Sequence, residues 1–569
     1  MINNTELQVG NANSRFFADV GAVPERTCIL ALAVFAVAWF ALVATSAGTT
    51  SFPLVLSDEA NYLLPTLFGY RAENYERWGI IQQIPNLLYY RIYAVLAGPD
   101  IYASAKVLNA AFIVAAAVPA YATAKAYLQP CGAAAFSVAV ICAPMDSFAR
   151  YFMPESLYYF GFWCVVCLLL RAPRFHACAV PLAAGIALGL LALVKPHALA
   201  LVLGAAVFFL FRKCRLTERW LGVALLVSCF YAVRVGAGYL LSETWDFSLS
   251  GPTYRAALSL FRYEPGPLLF NAFGHLASLV VLAGLPLIAI GLAVIRDFRQ
   301  PDPELQDLML LALATLAAML VMTVYFSFAV YLNDPDGERI ARLNGRYYAY
   351  ALPLTILAYV AMVRRQREPA FLFSNIGLLI YAPGMALAAY IVARWYEVSI
   401  VDYPELGILP RWPGGALVVV LAGIVCLAGA WILRVRRVPD DRVRRALPVA
   451  WWAVVVLSTS ALVLAAPLGA KWLVPNDVDR AMMNDPVLRD MRHRADGLVV
   501  GTNDRRPDTY RVMFHLASLS RGRFVARHAV LDNDAIPADV NWLVLLPGVT
   551  YSGAGERRTI GPLAYVKLR

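Results

Sequence analysis

Charge is scarce in this chain: 15% of its 569 residues are Asp, Glu, Lys or Arg. That is too little to clothe the several soluble domains its length would otherwise suggest. Cysteine is missing from every segment read below as an outer loop. All nine cysteines fall in apolar stretches or in short loops read as cytoplasmic, which argues against a disulfide framework. Cys164 and Cys167 form a C-x-x-C, but inside an apolar helix, where neither redox nor metal chemistry is expected. The N-terminus is polar through about Arg26 and lacks a basic n-region, and no A-x-A cleavage site follows the apolar run convincingly. The first apolar span is therefore expected to be a retained helix and not a removed signal peptide. Neither an internal repeat nor a low-complexity run is present.

What the chain does have is apolar length. Hydrophobic residues make up 60% of it, mean hydropathy is +0.61, and apolar stretches of about 20 residues recur, as bilayer-spanning helices require. Thirteen spans are expected, at roughly 28–47, 103–126, 133–147, 152–170, 179–194, 198–211, 220–241, 271–295, 309–332, 347–363, 371–392, 413–433 and 448–470. Net charge is +11, and basic residues recur in the short loops between spans, a pattern of membrane orientation and not of nucleic-acid binding. With the N-terminus inside, the arginine-rich loops around Arg171, Arg212, Arg296, Arg364 and Arg436 face the cytoplasm. The loop 127–132 carries no charge, and acids outnumber arginines in 296–308.

Three regions follow: a cytoplasmic segment 1–27, a transmembrane domain 28–470, and a soluble outer domain 471–569. In the last, Leu498-Val499-Val500-Gly501 and Trp542-Leu543-Val544-Leu545-Leu546 read as buried strands and residues 510–519 as a helix, so a small α/β domain is expected. The first outer loop, 48–102, holds an apolar, aromatic stretch at 80–96 broken by Pro85 and Arg91. It is expected to lie in the membrane interface.

Polar complexity accumulates on the outer side. Asp58 and Glu59, in Ser57-Asp58-Glu59-Ala60-Asn61-Tyr62, follow the first span. They read either as a catalytic acid pair at the membrane surface or as a hydrated pair, with Ser57 or Asp58 capping a helix that begins near Ala60. Arg150 and Glu155 sit between two spans almost without a loop, where charges must pair or meet ligand or water. Lys195-Pro196-His197 breaks an apolar run. Lysine is rare in this arginine-rich chain, and Lys195 either meets a lipid phosphate or snorkels to the surface; His197 also reads as simply interfacial. Arg339, Arg342 and Arg346 run against the positive-inside trend, so an anionic partner is expected. That partner is either Asp334, Asp336 and Glu338 or a phosphate, which the guanidinium fork matches.

One face thus carries an acid pair, a further acid, a lysine and arginines. That set suits one chemistry: a base deprotonates an acceptor hydroxyl while cations stabilise a departing phosphate. Outside the cell no nucleotide-sugar pool exists, so a lipid carrier is the expected donor.

The chain resembles the GT-C superfamily of polyprenyl-phosphate-dependent glycosyltransferases, in particular the branch containing aminoarabinose transferases of lipid A and protein O-mannosyltransferases. The resemblance rests on Asp58-Glu59, on Pro85-Asn86-Leu87-Leu88-Tyr89-Tyr90, on Gly98-Pro99-Asp100 with Asn109, on Leu191-Ala192-Leu193-Val194-Lys195 and on Gly345-Arg346-Tyr347. Thirteen spans with an outer C-terminal domain fit the aminoarabinose-transferase layout. One departure is Gln83-Ile84-Pro85, where that branch often has a histidine before the prolines.

The resemblance implies an all-α polytopic GT-C-like fold and an inverting transferase of the bacterial inner membrane. The expected partners are a polyprenyl-phosphate sugar donor (undecaprenyl or decaprenyl), membrane lipid, and a lipid, glycan or protein acceptor; nucleic acid is not expected. The expected roles are Asp58 as general base supported by Glu59, Lys195, Arg346, Arg342 and Arg150 at the donor phosphate, and Glu155, Tyr347, Tyr62 and His197 at the acceptor. A divalent cation (Mg2+ or Mn2+) on Asp58 and Glu155 is the one cofactor considered. The rival readings are a transporter or lipid flippase and a non-catalytic assembly subunit of a cell-envelope polymer. The absence of an inverted repeat and the clustering of charge away from the midplane weigh against transport.

Overall fold

The computed structural model describes residues 23–406 and 475–568, apart from 49, 72–74, 76–81, 97–100, 143, 172–177, 213, 249–263, 298–301, 334–338, 366–374, 400, 491–495, 503–505, 517–521 and 526–529. The expected spans at 413–433 and 448–470, and the acids Asp334, Asp336 and Glu338, lie outside these residues.

The first part is helical: α1 (Glu25–Gly48), α2 (Leu56–Phe68), α3 (Leu87–Ala94), α4 (Ile101–Ala115), α5 (Ala117–Ala124), α6 (Pro130–Ile141), α7 (Glu155–Leu170), α8 (Ala179–Val194), α9 (Ala198–Phe211), α10 (Leu216–Ser242), α11 (Pro265–Asp297), α12 (Pro303–Asn333), α13 (Leu352–Arg364) and α14 (Asn375–Trp395). By length and composition five stretches suffice to cross a membrane: Glu25–Gly48, Ile101–Ala124, Leu216–Ser242, Pro265–Arg296 and Pro303–Leu332. Shorter apolar helices at Pro130–Ile141, Glu155–Leu170, Ala179–Val194, Ala198–Phe211 and Ala349–Arg364 pack among them. The chain is a multi-pass membrane protein. The span expected at 133–147 is shorter than that: its helix stops at Ile141, and a 3-10 turn, Pro144–Arg150, takes over. Proline cannot donate to the helix and disfavours the helical conformation in the residue before it.

Small residues draw the helices together, as they must where lipid supplies no hydrophobic drive. A Cβ on Gly185 would lie 2.6 Å from the Leu226 carbonyl, and one on Gly189 would lie 2.9 Å from that of Phe230. α8 therefore packs backbone to backbone on α10. Pro286 within α11 removes a donor, and the backbone leaves helical geometry at Ala283 (φ −146°, ψ 19°).

The loop after α1 departs from two expectations. α2 begins at Leu56, so Ser57 and Asp58 lie inside its first turn, and its N-cap, Val55, makes no side-chain cap bond. In α3, Leu87, Tyr89, Tyr90 and Tyr93 are buried and Arg91 is exposed. The aromatic stretch thus packs inside the protein instead of facing the lipid interface, with Tyr89 and Tyr93 ring to ring at 4.2 Å.

The second part is a sheet domain: α15 (Asp477–Asn484), α16 (Pro486–Asp490), β1 (Gly497–Thr502), α17 (Arg506–His515), β2 (Gly522–Val525), β3 (Val530–Leu531), β4 (Trp542–Leu545), β5 (Thr550–Tyr551), β6 (Glu556–Ile560) and β7 (Leu563–Lys567). Five strands run in the order β2-β1-β4-β7-β6. The β1 strand is parallel to both β2 and β4, and β7 is antiparallel to β4 and β6. Asn476 caps α15 reciprocally with Asp479, a capping box. Asp479 also accepts from His515 Nε2 at 2.9 Å and pairs with Arg511. Beneath this domain lies α2. Its Ala60 and Leu64 join Val478, Met482, Val512, Met513 and Leu516 in one apolar cluster. On the other face Tyr62 and Leu63 belong to the core of the helical part. The helix bearing the acid pair is therefore clamped between two cores.

Candidate active site

Adjacent residues on a helix point about 100° apart, so Asp58 and Glu59 meet different surroundings. Glu59 is buried. Its Oε1 accepts the N–H groups of Leu54 (2.7 Å) and Val55 (2.8 Å). Its Oε2 accepts the Tyr102 hydroxyl (2.6 Å) and the Phe152 N–H (3.1 Å). Glu59 thus supplies the acceptors that the chain entering α2 would otherwise leave unmet, and its charge suits a helix N-terminus. Tyr102 in turn meets the ring of Phe514 edge to face at 4.7 Å, and the Lys106 ammonium lies 3.9 Å from its ring centre. Lys106 donates to Thr50 Oγ1 at 2.7 Å.

Asp58 keeps 28% of its side chain exposed, and its Oδ2 accepts from Arg346 Nη1 at 2.9 Å. Arg346 sits in a 3-10 turn, Gly345–Tyr347. Gly345 permits the close packing there: a Cβ would meet the Tyr403 ring at 2.3 Å. Asp402 holds the turn from behind. Its carbonyl accepts the Arg346 N–H at 2.6 Å, and its Oδ1 lies 3.6 Å from Arg346 Nε. Asp402 Oδ2 takes Arg342 Nε (2.9 Å) and Ser399 Oγ (2.7 Å). Arg342 is therefore directed at Asp402, and Arg339 pairs with Glu397 on the exposed rim.

Lys195 follows α8 and joins the cluster from the opposite side. It donates to Glu155 Oε1 at 2.7 Å and to the Tyr350 hydroxyl at 3.2 Å. The two side chains are 3% and 1% exposed. Burial depresses the Lys195 ammonium below its ordinary value, and Glu155 beside it works the other way. Tyr347 links the two ion pairs. Its hydroxyl accepts from Arg346 Nη2 at 3.1 Å, Lys195 lies 4.9 Å from its ring centre, and His197 stacks on it at 4.2 Å. Glu155 Oε2 is buried and has no hydrogen-bond partner among the described residues.

Of the residues expected from sequence, the structure thus assembles Asp58, Glu155, Lys195, Arg346, Tyr347 and His197. Three others take different places. Arg150 donates to Ser46 Oγ on α1 and lies within electrostatic reach of Lys106. Tyr62 is a core residue, edge-on to Tyr89 at 5.7 Å. Arg342 braces Asp402. Asp402, Tyr350 and Tyr102 carry no signal in the sequence, since a lone acid or tyrosine stands out from neither a loop nor an apolar span. Among the described residues no group of three or more His, Cys, Asp or Glu side chains is placed to hold a metal ion. Asp58 and Glu155, the expected ligands, pair with Arg346 and Lys195.

No protein-family model matches the chain, and no curated protein matches it. Among solved structures it is similar to the arabinosyltransferase EmbB from Mycobacterium smegmatis, with a TM-score of 0.40 and 15% identity over 76% of this chain and 41% of that one. It is also similar to the oligosaccharyltransferase of Archaeoglobus fulgidus, with a TM-score of 0.35 and 12% identity over 90% of this chain and 69% of that one. The same values of identity and coverage, with a TM-score of 0.34, relate it to the archaeal oligosaccharyltransferase AglB in complex with an inhibitory peptide and a dolichol-phosphate. The chain spans less than half the length of EmbB. The geometry of the charged cluster, and not these likenesses, is what the functional reading rests on.

Proposed function

We propose that this protein is an inverting glycosyltransferase of the bacterial inner membrane, with its N-terminus cytoplasmic and its sheet domain outside. It moves a sugar from a polyprenyl-phosphate donor to a lipid, glycan or protein acceptor on the outer face. The observation that carries this reading is the convergence of Asp58, Glu155, Lys195 and Arg346, from four separate chain segments, with only Asp58 substantially exposed.

In the proposed step the acceptor hydroxyl attacks the anomeric carbon from the face opposite the phosphate. The new C–O bond forms as the bond to the phosphate oxygen breaks, which inverts the centre. Asp58 takes the hydroxyl proton, and the lipid phosphate leaves with the bonding pair, stabilised by Arg346 and Lys195. The Asp58–Arg346 pair gives this step an order. A donor phosphate that engages Arg346 releases Asp58, so the base is freed when the donor is in place. The unpartnered Oε2 of Glu155 suits a sugar or acceptor hydroxyl. No step is routed through a metal.

Sugar transfer by proteoliposomes tests this. Asp58→Asn is expected to lower turnover by about 10²–10⁴-fold, the usual worth of a positioned base, while donor lipid still binds. Activity above roughly a tenth of wild type would remove Asp58 as the base. Full physiological function without Asp58 would favour the assembly-subunit reading.

A further inference from the structure

Charged groups inside a membrane helix are costly and are kept where they have a partner or a task. Arg234 in α10 is 1% exposed. Its Nε and Nη2 atoms are buried and have no hydrogen-bond partner among the described residues. Gly238, one turn on, makes room for it: a Cβ there would stand 3.1 Å from Arg234 Nη1 and 3.9 Å from Leu87 Cδ1. Arg234 also lies within electrostatic reach of Tyr70 and Asp246. Asp246 is engaged by Ser248, whose N–H and hydroxyl both donate to its Oδ1.

Leu87 and Tyr70 are walls of a cavity of about 300 Å³ between α2, α3 and the end of α10. That is the lower end of the range for ligand sites, about 300–1,000 Å³. Arg71 and Arg91, both exposed, line it together with Thr66, Tyr90 and one carboxylate, Glu243. Two guanidinium groups thus stand in the lining and a third lies behind the wall. Nearby, Tyr239, Trp245 and Phe247 form an exposed ladder with ring centres 4.2 and 5.9 Å apart. Exposed aromatic rings of this kind sit at the headgroup level of a bilayer.

We propose that this cavity binds the phosphate group of a membrane lipid between Arg71 and Arg91, with Arg234 adding positive charge from behind the wall and the aromatic ladder beside the bound lipid. The guanidinium fork matches phosphate oxygens in pairs. The site is built from residues other than those around Arg346. It rests on the membrane setting and not on sugar transfer.

Native mass spectrometry of the full-length protein tests it, with dioleoyl phosphatidic acid as probe and dioleoylglycerol as the phosphate-free control. Wild type is expected to retain phosphatidic acid and not dioleoylglycerol. Arg234→Gln is expected to weaken retention roughly threefold to tenfold, by removing a positive charge behind the site. The double variant Arg71→Ala/Arg91→Ala, which changes only exposed side chains, is expected to weaken it too, so the test survives if Arg234→Gln fails to fold. Arg346→Ala removes lipid held at the charged cluster and leaves this cavity intact, which keeps failure of the transferase reading distinguishable from failure of this site. Undiminished retention in Arg234→Gln and in the double variant would overturn the proposal. Equal displacement of the lipid by inorganic phosphate would also overturn it, by making free phosphate the occupant.

Discussion

At the mouth of the charged cluster, Asp58 and Arg346 meet with 28% and 9% of their side chains exposed; at its floor, Glu155 and Lys195 meet with 1% and 3%. The mouth pair is open to exchange from the Asp58 side, which water or a ligand can reach, and Arg346, itself buried, keeps Asp402 at 3.6 Å when Asp58 lets go. The floor pair is not. Removing one member leaves the other charge buried, which costs about 3–5 kcal/mol. One ion pair is therefore suited to trading partners during a reaction cycle and the other to fixing the geometry around it. Substitution at the mouth should remove activity alone, and substitution at the floor should remove stability as well.

The largest contrast is between Asp58→Asn and Lys195→Met. The first should abolish transfer as described above and leave thermal stability in detergent near that of wild type. The second should lower both, because it leaves Glu155 uncompensated. Lys195→Met/Glu155→Gln should recover much of the stability and none of the activity, since the phosphate loses a cation either way. Thermal midpoints and transfer rates of the three variants check this. Wild-type stability in Lys195→Met alone would break the comparison.

A smaller contrast separates the two neighbours in α2. Glu59→Gln keeps the shape of the side chain but turns one acceptor oxygen into a donor, facing N–H and O–H groups that already donate. Each buried donor left unmet costs about 1–3 kcal/mol. Glu59→Gln should therefore lower the thermal midpoint by several degrees where Asp58→Asn does not. Equal midpoints for the two would show that both acids are solvated alike.

How much of this was legible beforehand depended on how local each cause is. The break at Lys195-Pro196 between two apolar runs is local, and the helices stop and start at Val194 and Ala198 accordingly. The polar clusters at 58, 155, 195 and 346 stood out because each placed charge against an apolar background. The division of labour between Asp58 and Glu59 was not legible, since it depends on which face of α2 meets the sheet domain. Asp402 was not legible either, because a lone acid acquires meaning only when Arg342 and Arg346 fold onto it. The tyrosines of α3 read as interfacial by composition; their burial is decided by α8 and α10, which pack over them. The strands at 497–502 and 542–545 were visible as apolar runs, but their parallel pairing is a tertiary fact.

The smallest expected effect concerns the segment that supports Asp402. Glu405, three residues on, is buried, and its Oε2 has no hydrogen-bond partner among the described residues. Its turn, Pro404–Leu406, packs against the turn Pro144–Arg150, which carries Asp146 and Arg150. Tyr159, Tyr348 and Tyr403 also lie within its electrostatic reach. Burial pushes its carboxyl up to about 7, partly opposed by a backbone hydrogen bond. The folded state thus holds this proton more tightly than the unfolded chain, whose carboxyl titrates near 4.5. Raising the pH through that window costs stability, because the folded state must then bury a charge; below it the group is protonated in both states, and above it the loss is complete. Glu405→Gln should therefore match wild type near pH 4 and exceed it in thermal midpoint near pH 8, with transfer activity unchanged at either. A variant less stable than wild type at pH 8 would mean that the carboxylate is solvated or paired there, and that the support beneath Asp402 is as open as the mouth above it.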